Sequence, residues 1–230
     1  PSLENILDGR EFKAQLKDIS VEDLLARHPQ DLDKTAIKKF IKDKVVLVTG
    51  AGGSIGSEIV RQCNFFEAKQ IIAIDHSEFN LYSIEQEVPT IIPVMQSVVN
   101  IEDLKDTFML YKPQVVIHAA AYKHVPLVEA NIKEAIVNNI VGTKNIIDIA
   151  SKYNVENLVL ISTDKAVRPT NVMGTTKRIC ELYAQNKHTS STVISAVRFG
   201  NVLGSSGSII PKFKQLINDG KNLTVTHPDI

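Results

Sequence analysis

Thr163, Asp164 and Lys165 stand in succession, a hydroxyl, a carboxyl and an amine, at the end of the apolar run ENLVLIST. Gathered in a cleft, such groups can relay, give or accept protons on a small substrate. Met173 and Lys177 follow, four residues apart and therefore on one face of a helix. A thioether can neither give nor take a proton, so the pair poses a question: which group moves one? Proton transfer by Asp164 and Lys165 needs a protonated acid and a neutral amine. Burial favours both states, and contact between the two as an ion pair opposes them. On adjacency alone, a simple ion pair that caps a strand end is the stronger account.

These residues belong to a repeating pattern that starts at Lys44. KVVLVTG, IIAID, PQVVIHAAA and ENLVLIST are short β-branched runs, each followed by a longer amphipathic segment, and SSTVISAVRFG adds a further strand. In NNIVGTKNIIDIASKYN and the two residues before it, Ile136, Ile140, Ile147 and Ala150 recur at helical steps and predict a stripe packed on a sheet. Continuous apolar strands alternating with helices predict an α/β domain with a doubly wound parallel sheet of the Rossmann kind.

The first strand runs into TGAGGSIG, with Gly50, Gly52, Gly53 and Gly56 around a helix start near Ser54 and Ile55. Glycines there let the backbone approach a pyrophosphate at the helix N-terminus. A glycine turn that binds nothing is the plain alternative. Asp75 ends the second strand 19 residues after Gly56, where an acid can accept from both ribose hydroxyls and would repel a 2′-phosphate. The combination favours NAD over NADP, with His76, Ser77 and Asn80 next to the adenosine; a strand-end Asp that only caps the next helix is the other reading. HAAAYKHVP closes the following strand, and Ala119, Ala120 and Ala121 leave room for a dinucleotide, so that Lys123 or His124 can meet a phosphate or sugar. His118 reads better as a satisfied core group, and Cys63 and Met95 as core filling.

The chain has 230 residues, 43% hydrophobic, and zero formal net charge. That balance argues against a protein that holds nucleic acid or an anionic membrane by bulk charge. Cys63 and Cys180 form no CxxC pair, and no His, Cys or Asp cluster has metal-ligand spacing, so neither a disulfide framework nor a metal site is expected. A reducing cytoplasm is the natural setting. No apolar run approaches the roughly 20 residues of a membrane span. Pro1 in place of Met leads to the expectation of a fragment. Residues 1–43 read as a polar helical arm, with Ser20 as an N-cap, and residues 44–198 as the NAD-binding domain.

Taken together, TGAGGSIG, HAAAYKHVP, NNIVGT, STDKAVRPTNVMGTTK and RFGNVLGSSGSIIPKF resemble the extended short-chain dehydrogenase/reductase family. Within it they resemble the membrane-associated UDP-N-acetylglucosamine 4,6-dehydratases, most closely those of bacterial protein N-glycosylation. The resemblance covers about Ser20 to Ile230, and its two longest strings are far more specific than the glycine motif. It implies NAD as cofactor, a UDP-sugar as substrate and a homo-oligomer. Residues 199–230 would begin the substrate domain. Complete relatives continue well past THPDI and start with membrane helices at the cytoplasmic face.

The implied chemistry removes hydride at C4 of the sugar, a proton at C5 and water from C6, then returns the hydride to C6. By resemblance Asp164 is the acid at C6, Lys165 the base at C5, and Lys177 holds the nicotinamide ribose. The usual partner of Lys177 is a tyrosine at 173, so with methionine there Thr163 is left to handle the C4 hydroxyl, through water or under the field of Lys177. Val99 would stand by the adenine, and the Asp that soluble relatives carry near that base is replaced at Val98. Lys123, Asn201, Ser205 and Ser206 would face the sugar nucleotide; for the serines, an N-capped glycine loop is the plain alternative. A UDP-sugar 4-epimerase and a silent dinucleotide-binding sensor are the competing functions.

Overall fold

The computed structural model describes residues 32–187, 191–202 and 209–223, and the chain divides into two compact units, Asp33–Ser206 and a second made of Pro1–Leu32 with Gly207–Ile230. In the first unit, six runs rich in Val and Ile form parallel strands: β1 Val45–Thr49, β2 Gln70–Asp75, β3 Ile92–Met95, β4 Val115–His118, β5 Asn157–Thr163 and β6 Val193–Phe199. Their order across the sheet is β3-β2-β1-β4-β5-β6. The order reverses between β1 and β4, which is where sheets of this type leave a crevice beyond the carboxyl ends of their strands.

Helices cover both faces. On one lie α1 Lys34–Ile41, α2 Ser54–Phe65 and α3 Glu78–Glu87; on the other lie α4 Ile101–Tyr111, α7 Gly142–Lys152 and α8 Val172–Asn186. Strand alternation feeds each layer. Val46 and Val48 point to the first face with Val60, Cys63 and Leu81, while Leu47 points to the second with Leu104, Phe108 and Ile146. Each such fully buried side chain contributes about 1.5–3 kcal/mol. Two short helices, α5 Val125–Ala130 and α6 Ile132–Ala135, cross beyond the end of β4. The second unit contributes α9, Ile209–Asn218. Among the described residues no helix is long and apolar enough to cross a membrane.

The predicted strands and the doubly wound sheet are present, with three differences. β3 has no counterpart in the sequence expectation, because Pro93 breaks its pattern. Proline cannot donate to a ladder and is tolerated where β3 sits, at the sheet edge. Met95, expected as core filling, is 65% exposed on that edge, whereas Cys63 is buried. The predicted stripe fails at its first residue, Ile136, which is exposed, while Ile147 and Ala150 are buried. Residues Ile136–Val141 form a turn of π-helix, and the wider turn rotates Asn139 inward in place of Ile136. The expected N-cap Ser20 and most of the arm lie outside the described residues; its last part is α1, capped by Asp33.

Candidate functional site

Two pockets open side by side at the carboxyl ends of the strands. The first is lined by Gly50, Gly53, Ile74, Asp75, His76, Asn80, Gln96, Ser97, Val98, Ala119–Ala121, Tyr122 and Asn138. Its floor is backbone. Gly50 has φ +64°, and a Cβ there would lie 2.7 Å from the backbone nitrogen of Ala120, so only glycine lets β1 turn this close to the end of β4. At Gly56 a Cβ would meet the carbonyl oxygen of Gly50 at 1.9 Å, which forces α2 to start hard against the turn. Gly53 is the N-cap of α2 and supplies no side chain to its first amides. This open helix start is chemically suited to a pyrophosphate, and the glycine cradle has no room for side chains that would block it.

Asp75 is buried at the end of β2, where Oδ2 accepts from the Gly52 amide at 3.0 Å and Oδ1 from the Ser77 amide at 2.9 Å. Each oxygen keeps a lone pair for a further donor. The helix cap that was the alternative role for Asp75 is filled by Ser77, whose hydroxyl accepts from the Asn80 amide. Of the remaining expected cofactor residues, His76 and Asn80 line the pocket, and Ser54 and Ile55 open α2. Val99 does not line it. The wall there is Gln96–Val98, and the carbonyls of Val98 and Val99 both accept from Asn145 on α7.

The second pocket has a volume of about 230 Å3 and collects Lys123, Thr163, Lys165, Met173, Lys177 and Asn201 between Ile55, Ala121 and Phe199. Five of the expected site residues, spread over 79 positions, thus meet with Met173 in one hollow, and Asp164 is not among the residues that line it. At the end of β5 the Thr163 hydroxyl donates to Asp164 Oδ1 at 2.9 Å. Lys165 Nζ donates to the same oxygen at 3.2 Å and to Asn201 Oδ1 at 3.0 Å. Asp164 and Lys165 therefore do pair. The Thr163 hydroxyl, together with Lys165, holds the Asp164 carboxyl below the usual range, so it is ionised in this state. Ser205 and Ser206 lie outside the described residues.

Lys177 is buried, and its Nζ donates to the Ile161 carbonyl at 2.8 Å. Burial pushes it below the usual range of a lysine. Met173, one turn earlier, is 4% exposed and packs with Val128 and Ala135 as part of the pocket wall. His118 sits beneath, bonded to Thr49 Oγ1 at 2.6 Å and Thr143 Oγ1 at 3.0 Å, and burial pushes it down to about 3. It is the satisfied core group expected. His124 heads α5, bordering a separate apolar hollow with Leu127 and Val128.

Asn139 and Glu181 were missed. Asn139 accepts from the Tyr122 amide at 2.8 Å and donates to the Tyr122 carbonyl at 3.0 Å, pinning the loop that walls both pockets. A buried asparagine in a helix leaves no periodic signal; only the doubled NN hinted at it. Glu181 accepts from Ser162, Arg178 and Arg198 and is 2% exposed.

Residues 46–230 match the family described as polysaccharide biosynthesis protein. The chain belongs to that family. It is 49% identical to the capsular polysaccharide biosynthesis protein CapD of Staphylococcus aureus over the whole chain and 40% of that protein. It is 34% identical to the UDP-glucose 4-epimerase of Rickettsia canadensis over 82% of the chain and 58% of the epimerase. Among solved structures, the X-ray structure of Pen from Bacillus thuringiensis superposes with a TM-score of 0.77 at 34% identity, over 82% of this chain and 61% of Pen. The chain thus spans about two fifths to three fifths of the length of these three proteins. The six-stranded parallel sheet is the Rossmann-like fold of the short-chain dehydrogenase/reductase structures.

Proposed function

We propose that this chain is the dinucleotide-binding portion of an NAD-dependent nucleotide-sugar dehydratase, which converts UDP-N-acetylglucosamine to its 4-keto-6-deoxy product for bacterial glycan or glycoprotein synthesis. One observation carries this reading: the Thr163 hydroxyl and the Lys165 amine line one pocket with Lys177, the Asp164 carboxylate is bonded to both of them, and the other helix position facing the pocket is the aprotic Met173. An epimerase that only oxidises and reduces C4 has no use for a second acid and base. NAD would lie over Gly50 and Gly53, with Asp75 on the adenosine ribose and Ala119–Ala121 beneath it, and when bound it supplies reversible hydride chemistry.

The chain's own groups then divide the proton work. Lys177 fixes the ribose side of the pocket and adds positive charge beside the sugar hydroxyl, whose proton Thr163 accepts. The Thr163 hydrogen already points at Asp164, so the C4 proton passes through the threonine to that carboxylate. This charges Asp164 with the proton that it then gives to the leaving C6 oxygen. Protonation also breaks the pairing with Lys165, whose ammonium then gives a proton to solvent so that the neutral amine can accept the C5 proton. Asn201 and Lys123 stand where they can hold the sugar.

Incubating the complete protein with UDP-N-acetylglucosamine tests the reading by mass spectrometry: loss of one water is the expected result. Unchanged mass with inverted C4 would identify an epimerase, and no change at all a silent sensor. Exposed Leu127, Ile132, Ile136 and Val141, with Ile179 and Leu182 of α8, support pairing of two copies through these helices. Light scattering of the complete protein should show at least a dimer, and a monomer would remove that claim. We place the reaction in the cytoplasm, with the complete protein held at the inner membrane by segments outside this chain.

A further inference from the structure

Three elements converge on the reaction pocket: β5 brings Thr163, β6 leads to Asn201, and α8 carries Lys177. One buried side chain touches all three. Glu181 lies on α8 one turn after Lys177 and is 2% exposed. Its Oε1 accepts from Ser162 of β5 at 2.7 Å and from Arg198 Nε of β6 at 2.8 Å; its Oε2 accepts from Arg198 at 2.7 Å and Arg178 at 3.1 Å. Ser162 and Arg198 are opposite one another in the β5–β6 register, directly below Thr163 and Phe199. Lys177 is bonded to the carbonyl of Ile161, the residue before Ser162. Helix and strand are therefore stitched at two successive residues, one stitch through Lys177 and the next through Glu181.

We propose that Glu181 is a positioning residue for the reaction pocket: through Ser162 and Arg198 it fixes the separation of Thr163, Lys177 and the β6 exit, and its charge sets the field in which Lys177 works. The proposal rests on the dehydratase reading for its kinetic consequence alone. A buried carboxylate with four donors is expensive to assemble and costly to break, so it is an inefficient means of merely attaching a helix to a sheet. Its three donor residues come from β5, β6 and α8, the elements that must be held in mutual register for the chemistry.

The titratable groups about Lys177 are Glu181 and Cys180 on its own helix, His118 at the end of β4, and Lys123 and Lys165 across the pocket, with Asp164 beside Lys165. Neutralising Glu181 would remove the acid that supports the Lys177 ammonium and leave Arg178 and Arg198 uncompensated. Lys177 would then lose its proton at lower pH.

The test uses the complete protein carrying Glu181→Gln or Ser162→Ala, with lysine side chains labelled for carbon-13 resonance. In Glu181→Gln the Lys177 resonance should titrate about one pH unit lower than in the parent, and NAD+ affinity by calorimetry should fall about fivefold or more. Ser162→Ala keeps both arginine pairs and cuts the tie to β5. It should lower kcat about three- to tenfold with little change in KM, as expected for a lost hydrogen bond felt only in the transition state. If Glu181→Gln does not fold, Ser162→Ala decides the matter by itself. An unshifted Lys177 titration together with parental kcat in Ser162→Ala would overturn the proposal. Should the parent leave UDP-N-acetylglucosamine unchanged, the dehydratase reading fails, and the lysine titration and NAD+ affinity still report on Glu181.

Discussion

The glycine-turn pocket and the pocket at the end of β5 share the loop after β4, yet they are built from different materials. The first is made of backbone: a left-handed Gly50, a helix start without a side-chain cap, and a carboxylate, Asp75, held by two amides. The second is made of side chains that hold one another, Thr163 to Asp164, Asp164 to Lys165 and Lys165 to Asn201. Backbone geometry pre-forms a seat that does not need to change during a reaction. Side-chain pairs can exchange partners and protons, so the part that must rearrange is the part assembled from them.

The largest effect should come from the side-chain pocket. Thr163→Val keeps the shape and deletes the hydroxyl, and turnover should fall about 100- to 10,000-fold with near-normal substrate affinity, measured by steady-state kinetics. A rate close to the parent would return Thr163 to the role of a residue that ends a strand. Lys165→Ala should stop exchange of the C5 proton with solvent deuterium, followed by magnetic resonance, and leave NAD+ binding intact. In the backbone pocket, Asp75→Ala removes the ribose acceptor and with it the tie to the Gly52 amide. NAD+ affinity should drop about 10- to 100-fold and the preference over NADP+ should vanish, as read by calorimetry.

Smaller effects sharpen the contrast. Met173→Ala should leave turnover nearly unchanged while costing about 2 kcal/mol of stability in denaturant titration, because the side chain is buried against Val128 and Ala135. The smallest effect is expected at Asp148, on the far side of α7. Burial raises its carboxyl, but Lys144, Lys187 and Tyr183 outweigh this and hold it at about 2, against 3.8 in the unfolded chain. Its contribution is therefore complete above pH 3.8 and lost as pH falls toward 2. Asp148→Asn should cost less than about 1 kcal/mol at neutral pH and nothing at the acid end of that window, in melts across the range.

How much was legible follows the same division. The glycine turn, Asp75 and the alanines announce themselves because backbone constraints restrict residue type at fixed spacing. The string that contains Thr163, Asp164, Lys165 and Lys177 pointed to residues that the fold does bring close together, and adjacency already favoured the pairing of Asp164 with Lys165 that the geometry shows. β3 was hidden by Pro93, and Met95 was misplaced with it, because an edge strand tolerates what a central strand forbids. Glu181 was invisible because its partners, Ser162 and Arg198, come from strands 19 residues before and 17 after it.

The π-turn at Ile136–Val141 has a consequence for how this scaffold can vary. A π-turn amounts to one surplus residue in an α-helix, so deleting any one residue of that stretch would let the helix close normally. The local widening that turns Asn139 inward would be lost with it. The amide of Asn139 would swing off Tyr122, and the loop between the two pockets would lose its anchor. A change in the length of this segment would therefore reach the glycine-turn pocket, which Asn138 lines and whose wall Asn139 anchors.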